Sequence, residues 1–458
     1  MMEKPIDLHP FLFAAYPALH LYSVNIGKVF FVDTLPAFGI ILTCATFFYL
    51  IGWLVFKDRA KSAIAISLFL ILFFSYGPVL HTLNASRLFS FRYRELLFIW
   101  FLLFCGGTFF ISRSKSLRSF SKILNITAFF SVSVILINIA VCFCGERQAF
   151  EGDGPNNGYL KSAGVSLSTM PPFVKDPDIY CIILDEYAGL DQISEVYGYD
   201  NSAFAKRLIN KGFYIAAKSR IQSEDSDASI ASLLNMDLPQ DKVSLRYLRD
   251  NKVVRILKGR GYKYIHIGSW YHALSQNENA DINYNGFALK NEFNVLLLNS
   301  TAYSPFITQG GLYRGGIFYN LAKLEETAGL KGPKFVFAHI ICPHTPFIFD
   351  RDGKRLPPWQ VTNYKDKSVY LGQYIFITKK VEETIDAILA KSEKPPVIII
   401  QSDHGVRSQP GLNTGDAKRI FNAYYLPGEE AKKHLYQTIS PPNSFRVIFN
   451  YYFGAEYD

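Results

Sequence analysis

The stretch PDIYCIILDEYA, residues 177–188, decides how the second half of the chain folds. Its run IYCIIL, residues 179–184, is short, apolar and rich in β-branched side chains, which is typical of a strand buried on both faces of a parallel sheet. The run ends in Asp185 and Glu186. Ligands of open α/β sheets bind beyond the carboxyl ends of the strands, so this stretch predicts a sheet and also the edge at which a functional site lies.

Strand-like and helix-like runs alternate over the rest of residues 178–458. Further apolar runs indicate strands: FYIAA (213–217), YKYIHI (262–267), KFVFAHII (334–341), PVIIIQ (396–401) and AYYL (423–426). Amphipathic runs indicate helices at about 201–211, 228–235, 247–259, 316–329, 372–391 and 443–453. The pattern predicts an α/β domain with a central, mostly parallel sheet that helices cover on both faces.

The first half of the chain is apolar. Over all 458 residues, 49% are hydrophobic and only 19% are charged, against about 25% charged in a soluble domain. Five uncharged stretches approach the ~20 residues that cross a bilayer: 11–27, 35–56, 62–80, 96–112 and 123–144. We therefore expect an α-helical membrane domain of about five transmembrane helices. The first stretch is short and contains Pro17 and His20, and a cleaved signal peptide is the alternative for it.

Composition divides the chain into three parts. Residues 1–145 are predicted to form the transmembrane domain, and residues 178–458 the soluble domain. Between them, residues 146–177 are rich in Gly, Pro, Asn and Ser, which indicates a linker.

The net charge of +9 is unevenly distributed. Residues 1–150 contain 13 Lys/Arg and 6 Asp/Glu, whereas residues 151–458 contain 35 and 33. A basic excess in the apolar half argues against a nucleic-acid partner, which requires a basic patch on a folded soluble face. The basic loops 57–61 and 113–122 are instead expected in the cytoplasm, although three arginines in 87–94 oppose this orientation. In a bacterium, this predicts a multi-pass protein of the inner (cytoplasmic) membrane whose soluble domain faces the periplasm or the extracellular side.

Side chains that can bind a metal ion follow three of the strand-like runs. They are Asp185 and Glu186, His344, and the pair Asp403 and His404. Carboxylate oxygens together with an imidazole nitrogen suit a divalent cation such as Mn, Mg, Ca or Zn. A single acid at a strand end is often only a helix cap or a turn residue, but three such ends in one sheet predict a metal site.

Polar residues lead into an apolar, helix-like run in the segment 223–236. A hydroxyl at the start of a helix lies where main-chain N–H groups and the helix dipole favour an anion. A metal ion nearby can activate such a hydroxyl as a nucleophile. Ordinary capping of the helix by Ser or Asp is the alternative.

Together these stretches resemble the sulfatase-like branch of the alkaline phosphatase superfamily. That branch includes arylsulfatases, lipoteichoic acid synthases and phosphoethanolamine transferases. The motifs that carry the resemblance occur in the family's order: PDIYCIILDEYA (177–188), SIASLLNM (229–236), PHTPFIFD (343–350), SDHG (402–405) and SFRVIFNYYFG (444–454). The plan of membrane helices before an extracytoplasmic domain is also similar to that of the synthases and the phosphoethanolamine transferases.

The resemblance implies a role for each of the strand-end residues. Asp185, Asp403 and His404 match metal ligands of the family. Glu186 falls where sulfatases place a second acid, which makes it a further candidate ligand. His344 matches a histidine that lies near the anionic group of the substrate. We interpret a second histidine of the same region, His339, as a core or supporting group.

The nucleophile segment departs from the family pattern. The membrane members have a threonine three residues before the SIASLLNM helix, where this chain has Ser226, which keeps the hydroxyl. The usual lead-in Asn-Tyr-x-x-Thr is replaced by QSEDS (222–226), so Ser223 and Ser229 remain alternative nucleophiles. The Cys/Ser-x-Pro-x-Arg motif of formylglycine sulfatases does not occur, which argues against that type of enzyme.

Three functions are compatible with this reading. The first is a metal-dependent transferase that moves a phosphoryl-type head group to a cell-envelope glycan or lipid through a serine-bound intermediate. Its partners are membrane lipids and a lipid-linked or glycan substrate. The second is a phosphoric or sulfuric ester hydrolase that uses the same site. The third is a catalytically inactive relative that scaffolds a cell-envelope assembly.

Overall fold

The computed structural model describes residues 7–26, 29–85, 93–152, 176–238, 243–287, 289–304, 309–357, 360, 361, 363, 366–407, 412 and 415–457. Most of the predicted linker, residues 153–175, and most of the loop 87–94 lie outside this range. The chain forms two compact units. The membrane unit contains Met1–Tyr159 together with Glu292–Ile307, and the soluble unit contains Leu160–Asn291 together with Thr308–Asp458.

The described chain begins with the helices of the membrane unit: α1 (His9–Ser23), α2 (Phe31–Phe56), α3 (Arg59–Ala85), α4 (Tyr93–Arg113) and α5 (Arg118–Gly152). Within the described residues, four helices, α2 to α5, are long and apolar enough to cross a membrane. The expectation of about five transmembrane helices is therefore corrected to four. The first predicted stretch, 11–27, forms only the 15-residue helix α1. At 1.5 Å per residue this helix is about 22 Å long, which is short of a hydrocarbon layer of about 30 Å.

Helix α1 packs against the other helices of the membrane unit. Its small residues Ala14 and Ala18 are fully buried. His9, at its first turn, lies 2.6 Å from Oγ of Ser67 through Nδ1 and 3.2 Å from Oγ of Ser121 through Nε2. In a bilayer the hydrophobic effect does not drive helices together. Close packing at small residues and hydrogen bonds between helices stabilise their association instead. Both kinds of contact hold α1 against its neighbours.

The soluble unit is built on one seven-stranded sheet. Its strands are β1 (Ile179–Leu184), β2 (Tyr214–Ile215), β3 (Lys263–Ile267), β4 (Ile282–Tyr284), β5 (Lys334–Ile340), β6 (Val397–Ser402) and β7 (Asn422–Tyr425). They lie in the order β2-β7-β6-β1-β5-β3-β4. The strands from β6 to β4 pair in parallel, whereas β7 is antiparallel to both of its neighbours. The predicted α/β domain with a mostly parallel sheet is confirmed, and β4 is a strand that the pattern did not predict.

The later helices of the described residues include the predicted ones, with differences at their ends, and three that the pattern did not predict: Leu190–Tyr197, Glu292–Asn299 and Glu429–Lys432. They are α6 (Leu190–Tyr197), α7 (Ser202–Asn210), α8 (Ser226–Asn235), α9 (Leu245–Arg249), α10 (Lys252–Gly259), α11 (Glu292–Asn299), α12 (Gln309–Thr327), α13 (Lys367–Lys391), α14 (Glu429–Lys432) and α15 (Pro441–Phe453). The single helix predicted at 247–259 is divided in two. Asn251 causes the division, because its side chain accepts a hydrogen bond from N of Val254 and so starts a new helix.

The register of β1 with its neighbours determines where the site lies. All six residues of β1 are buried. Its last residue, Leu184, pairs with Ile340 of β5 on one side and with Ser402 of β6 on the other. Since the three strands run in the same direction, the residues that follow them leave the sheet at the same edge. The strand ends that were predicted to bind a metal are therefore adjacent.

Helix α8 packs on the face of the sheet that β1 presents through Ile179, Cys181 and Ile183. Its residues from Ala228 to Asn235 are all buried. Because the body of the helix is buried, its first turn, which carries the candidate nucleophile, is held in a defined position relative to the sheet.

Candidate metal centre and active site

Asp185, Asp403 and His404 form a buried cluster at the carboxyl ends of β1 and β6. The Nε2 atom of His404 lies 3.5 Å from Oδ1 of Asp185 and 3.6 Å from Oδ2 of Asp403. One potential ligand atom from each residue lies within 4.8 Å of the other two. The structure thus brings together three of the four residues that the sequence proposed as metal ligands.

The facing atoms of this cluster have no hydrogen-bond partner among the described residues. They are Oδ1 of Asp185, Oδ2 of Asp403 and Nε2 of His404. Buried polar atoms are hydrogen-bonded as a rule, so three exceptions at one place require an explanation such as a bound ion. Nδ1 of His404 lies 2.8 Å from the main-chain oxygen of Gly405 and donates its proton there. With Nδ1 as the donor, the neutral form of the ring presents the lone pair of Nε2, as a metal-binding imidazole does.

Two carboxylate oxygens and a neutral imidazole nitrogen are a donor set that fits a divalent cation. Three electron-pair donors that face one another in a buried place repel each other unless a positive charge lies between them. The residues present are thus suited to a divalent metal, and they do not specify which one.

The remaining oxygens of the two carboxylates are held by other contacts. Oδ1 of Asp403 accepts hydrogen bonds from N of Glu186 at 3.1 Å and from N of His404 at 2.7 Å. Oδ2 of Asp185 lies 3.5 Å from Nε2 of His339. His339 is fully buried, and its Nδ1 lies 3.0 Å from Oγ of Ser269. His339 therefore supports Asp185 directly, a contact that its place in an apolar strand did not reveal.

Charge at the centre shifts two pKa values in opposite directions. Burial alone would raise the pKa of Asp185, but the neighbouring His344, His339 and His404 lower it below its usual range. For His344, burial acts to lower the pKa, and the carboxylates of Asp185 and Glu186 outweigh it, so that the pKa is raised. The carboxylate of Asp185 is thus ionised at neutral pH, as a metal ligand must be.

Glu186 lies beside the three-residue cluster rather than within it. Its Oε1 accepts a hydrogen bond from N of Arg407 at 3.1 Å, and its Oε2 lies 3.9 Å from Nε2 of His344. The main chain of Glu186 has a φ of 58°, which a side-chain-bearing residue adopts only when its surroundings impose it. Tyr370 is one such constraint, because its hydroxyl donates to O of Glu186 at 2.7 Å and accepts from N of Ala188 at 3.2 Å.

The loop that carries His344 is held by Gln373 of helix α13. Nε2 of Gln373 donates to the main-chain oxygens of Pro343 and His344, both at 3.0 Å. Its Oε1 accepts from N of Ile348 at 2.7 Å and from N of Phe349 at 3.1 Å. The side chain of His344 remains 20% exposed. It is thereby placed where a substrate arriving from solvent can contact it.

Sequence reasoning missed Tyr370 and Gln373. In the sequence they are polar groups within the apolar run YLGQYIFI (370–377). Such a pattern indicates buried side chains that need hydrogen-bond partners, but it cannot name partners that lie on distant loops.

The serine segment lies against the loop that follows β6. Ser229 is buried, and its Oγ donates to the main-chain oxygen of Asp403 at 2.6 Å. Nη1 of Arg407 donates to the main-chain oxygen of Glu224 at 2.8 Å. Between these two contacts, Ser226 is the half-buried first residue of α8. The segment 224–229 is thus bound to the loop that carries two of the candidate ligands, and the choice of Ser226 as the nucleophile stays a prediction.

The alternative nucleophiles have different surroundings. Ser223 lies in the turn before α8, where its Oγ accepts from N of Asp225 at 3.3 Å. Ser229 lies inside the helix with its hydroxyl already bonded to Asp403. Of the three serines, Ser226 is the one at the first position of the helix, where the helix dipole favours an anion.

Comparison with known proteins finds similar folds but no close relative. No protein-family model matches the sequence, and no curated protein matches it. Among solved structures, the chain is similar to the C-terminal periplasmic domain of EcEptC from Escherichia coli, at 13% identity, with 63% of this chain and 88% of that chain covered and a TM-score of 0.43.

Two further structures show the same level of similarity. The lipoteichoic acid synthase LtaP from Listeria monocytogenes is 15% identical over 56% of this chain and 67% of that chain, with a TM-score of 0.39. A protein in the alkaline phosphatase superfamily from Vibrio parahaemolyticus is 12% identical, with 61% of this chain and 68% of that chain covered and a TM-score of 0.40. Identities and TM-scores this low assign neither a family nor an activity to the chain.

Asp403→Asn is expected to abolish metal binding while the local main chain stays in place. The amide oxygen of Asn can still accept the hydrogen bonds from Glu186 and His404. The amide nitrogen, in the position of Oδ2, offers no electron pair to a cation. Metal content, measured by elemental mass spectrometry after dialysis against each candidate cation, should fall from about one ion per chain to near zero.

Asp386→Asn is the matched control, because the carboxylate of Asp386 forms an exposed ion pair with Lys211 at 2.7 Å. This variant should keep the metal content of the parent protein. If Asp403→Asn also retains it, the cluster is not the metal site.

Proposed function

We propose that the protein is a membrane-anchored, metal-dependent enzyme of the sulfatase-like type. In this proposal it transfers a phosphoryl-type head group from a lipid to a cell-envelope glycan or lipid, with Ser226 as the nucleophile. The observation that carries the proposal is the set of three unpaired, buried ligand atoms on Asp185, Asp403 and His404. A scaffold protein has no need of such a set, because leaving buried carboxylates uncompensated destabilises the fold.

The arrangement of the serine segment supports the same proposal. It is hydrogen-bonded to the loop of Asp403 and His404 through Ser229 and Arg407. Helix α8 begins at Ser226, so its dipole favours negative charge beside the serine. His344 is partly exposed next to the cluster, where it would contact the anionic oxygens of the substrate.

A divalent cation held by Asp185, Asp403 and His404 would supply Lewis-acid activation of the serine hydroxyl and of a phosphoryl oxygen. Ser226 attacks the phosphorus of the lipid head group. The bond from Oγ to phosphorus forms, the bond from phosphorus to the lipid oxygen breaks, and the serine proton ends on the released lipid hydroxyl. An acceptor hydroxyl then attacks the same phosphorus, the bond from Oγ of Ser226 to phosphorus breaks, and the proton of the acceptor hydroxyl returns to Oγ of Ser226.

In this proposal, the membrane topology determines on which side of the membrane the reaction takes place. The basic loops 57–61 and 113–122 follow helices α2 and α4, respectively, and are assigned to the cytoplasm. Helix α5 then leads the chain to the opposite side. The correction from five spanning helices to four leaves this assignment unchanged, because α1 precedes both loops. The soluble unit would therefore face the periplasm or the outer side of the inner membrane, where envelope glycans and lipids are accessible.

Ser226→Ala is expected to remove turnover without unfolding the protein. A half-buried hydroxyl at a helix start contributes at most about 1 kcal/mol to the free energy of unfolding. Covalent catalysis has no substitute group in that position, so turnover of the lipid head group should fall by at least about 10³-fold. Ser226→Thr restores a hydroxyl and should retain activity. Mass spectrometry of the peptide 223–229 after reaction with the lipid should show an adduct in the parent protein and in Ser226→Thr, but none in Ser226→Ala.

The serine variants also test the alternatives. If Ser226→Ala keeps near-normal turnover while Ser229→Ala or Ser223→Ala loses it, the nucleophile has been assigned to the wrong serine. If all three variants remain active, a serine nucleophile is excluded. Release of the free head group alone, in the presence of a glycan acceptor, would identify a hydrolase instead of a transferase.

The topology predicts the behaviour of reporter fusions. A reporter enzyme that is active only outside the cytoplasm should be active when fused to the C-terminus of the full chain. The same reporter inserted into the loop 57–61 should be inactive, because that loop is expected in the cytoplasm. The reverse pattern of activities would place the soluble unit in the cytoplasm and would contradict the choice of envelope substrates.

A further inference from the structure

A segment from the sequence of the soluble half belongs to the membrane unit. We call residues 292–304, the described part of this segment, the anchor segment. It contains helix α11, in which Phe293, Val295 and Leu297 are buried. Phe293 and Leu297 pack in one apolar cluster with Ala18 and Tyr22 of α1 and with Val29. The anchor segment is thus part of the apolar core of the membrane unit.

Main-chain hydrogen bonds also join the anchor segment to helix α3. N of Gly77 donates to O of Ser300 at 3.0 Å, and O of Phe73 accepts from N of Ala302 at 2.7 Å. Pro78 follows directly inside α3, and a proline within a helix lacks the N–H group that would bond to the preceding turn. In a bilayer, main-chain polar groups must find their partners within the protein. The anchor segment supplies such partners at the proline-containing turn of α3.

Gly77 is the residue that allows this close approach. A Cβ atom at position 77 would lie 2.1 Å from O of Asn299 and 2.7 Å from Cα of Ser300, and both of these atoms belong to the main chain. A side chain there would therefore displace the anchor segment. At Gly106 of α4, by contrast, a Cβ atom would have nothing within 4 Å. The two glycines provide a matched pair for a test.

The anchor segment also presents apolar side chains outward. Leu296 is 41% exposed and Tyr303 is 54% exposed. In a unit whose helices are suited to a bilayer, exposed leucine is compatible with lipid, and tyrosine is enriched at the level of the lipid head groups. These residues place the anchor segment in the environment of lipids.

We propose that the anchor segment is a second attachment of the catalytic half to the membrane and that it gives the enzyme its selectivity for lipid-borne substrates. This inference rests on the proposed function. The chain passes from the soluble unit into the membrane unit at Glu292 and returns to it at Thr308, in addition to the connection after α5. A catalytic unit that is attached at two places can adopt fewer orientations than a unit that is attached at one place. A substrate in the same membrane benefits from this restriction through a higher effective concentration, whereas a water-soluble substrate does not.

Gly77→Ala in the full-length protein tests the inference. The protein is placed in vesicles of equal parts phosphatidylethanolamine and phosphatidylglycerol. Hydrogen exchange of the amides of Ala302 and of residue 77 should become faster, because the added Cβ separates them from their partners, O of Phe73 and O of Ser300. Transfer of lipid head groups should fall at least about tenfold, while turnover of the water-soluble ester bis-para-nitrophenyl phosphate should stay within about twofold of the parent. Gly106→Ala should change none of the three quantities.

A second pair of variants leaves helix α3 intact, so that the test stands if Gly77→Ala does not fold. Leu297→Ala removes a buried contact of the anchor segment and should show the same pattern as Gly77→Ala. Leu296→Ala removes the same side chain from the neighbouring, exposed position and should behave like the parent.

Three results would overturn the inference. The first is unchanged hydrogen exchange of the amides of Ala302 and residue 77 in both Gly77→Ala and Leu297→Ala. The second is faster exchange with undiminished transfer of lipid head groups. The third is an equal loss of lipid and soluble turnover, which would show a merely structural role. If the parent protein turns over neither probe, the proposed function is wrong, and the exchange measurement alone then decides whether the anchor segment is an attachment.

Discussion

The negative charge of two buried carboxylates at adjacent strand ends is the constraint on which the rest of the centre depends. Asp185 and Asp403 each direct one oxygen to the place that Nε2 of His404 also faces. The other oxygen of Asp403 accepts from main-chain N–H groups, and that of Asp185 lies 3.5 Å from Nε2 of His339. Positive charge stabilises such an arrangement, because buried carboxylates are poorly solvated. The fold thus provides a place that fits a divalent cation.

The groups around this charge are held by elements that come from distant parts of the chain. Helix α13 contributes Tyr370, which holds the main chain at Glu186, and Gln373, which holds the loop of His344. Both are buried residues of a long helix, so the loops at the sheet edge are attached to a rigid support. A site that binds a transition state benefits from such preorganisation, since its groups need little rearrangement during the reaction.

In the membrane unit, too, polar groups in apolar surroundings are hydrogen-bonded to other groups of the protein. The short helix α1 is held by His9, Ser67 and Ser121 as well as by small buried residues. Helix α3 contains a proline, and the anchor segment bonds to the turn before it. In both places a polar group that lipid could not satisfy is bonded by protein. The anchor segment thus belongs to the membrane unit although it lies, in the sequence, within the soluble half.

Local pattern in the sequence determined the apolar helices, the strands and the residues at the strand ends. Strand β1 was predicted with its observed bounds, and Asp185, Asp403 and His404 were placed together, because periodicity is a local property and parallel strands end at one edge. Only the tertiary structure decided that Glu186 lies beside the cluster, that His339 supports Asp185 and that residues 292–304 join the membrane unit. These features depend on side-chain directions and on contacts between residues far apart in the chain, which no local pattern encodes.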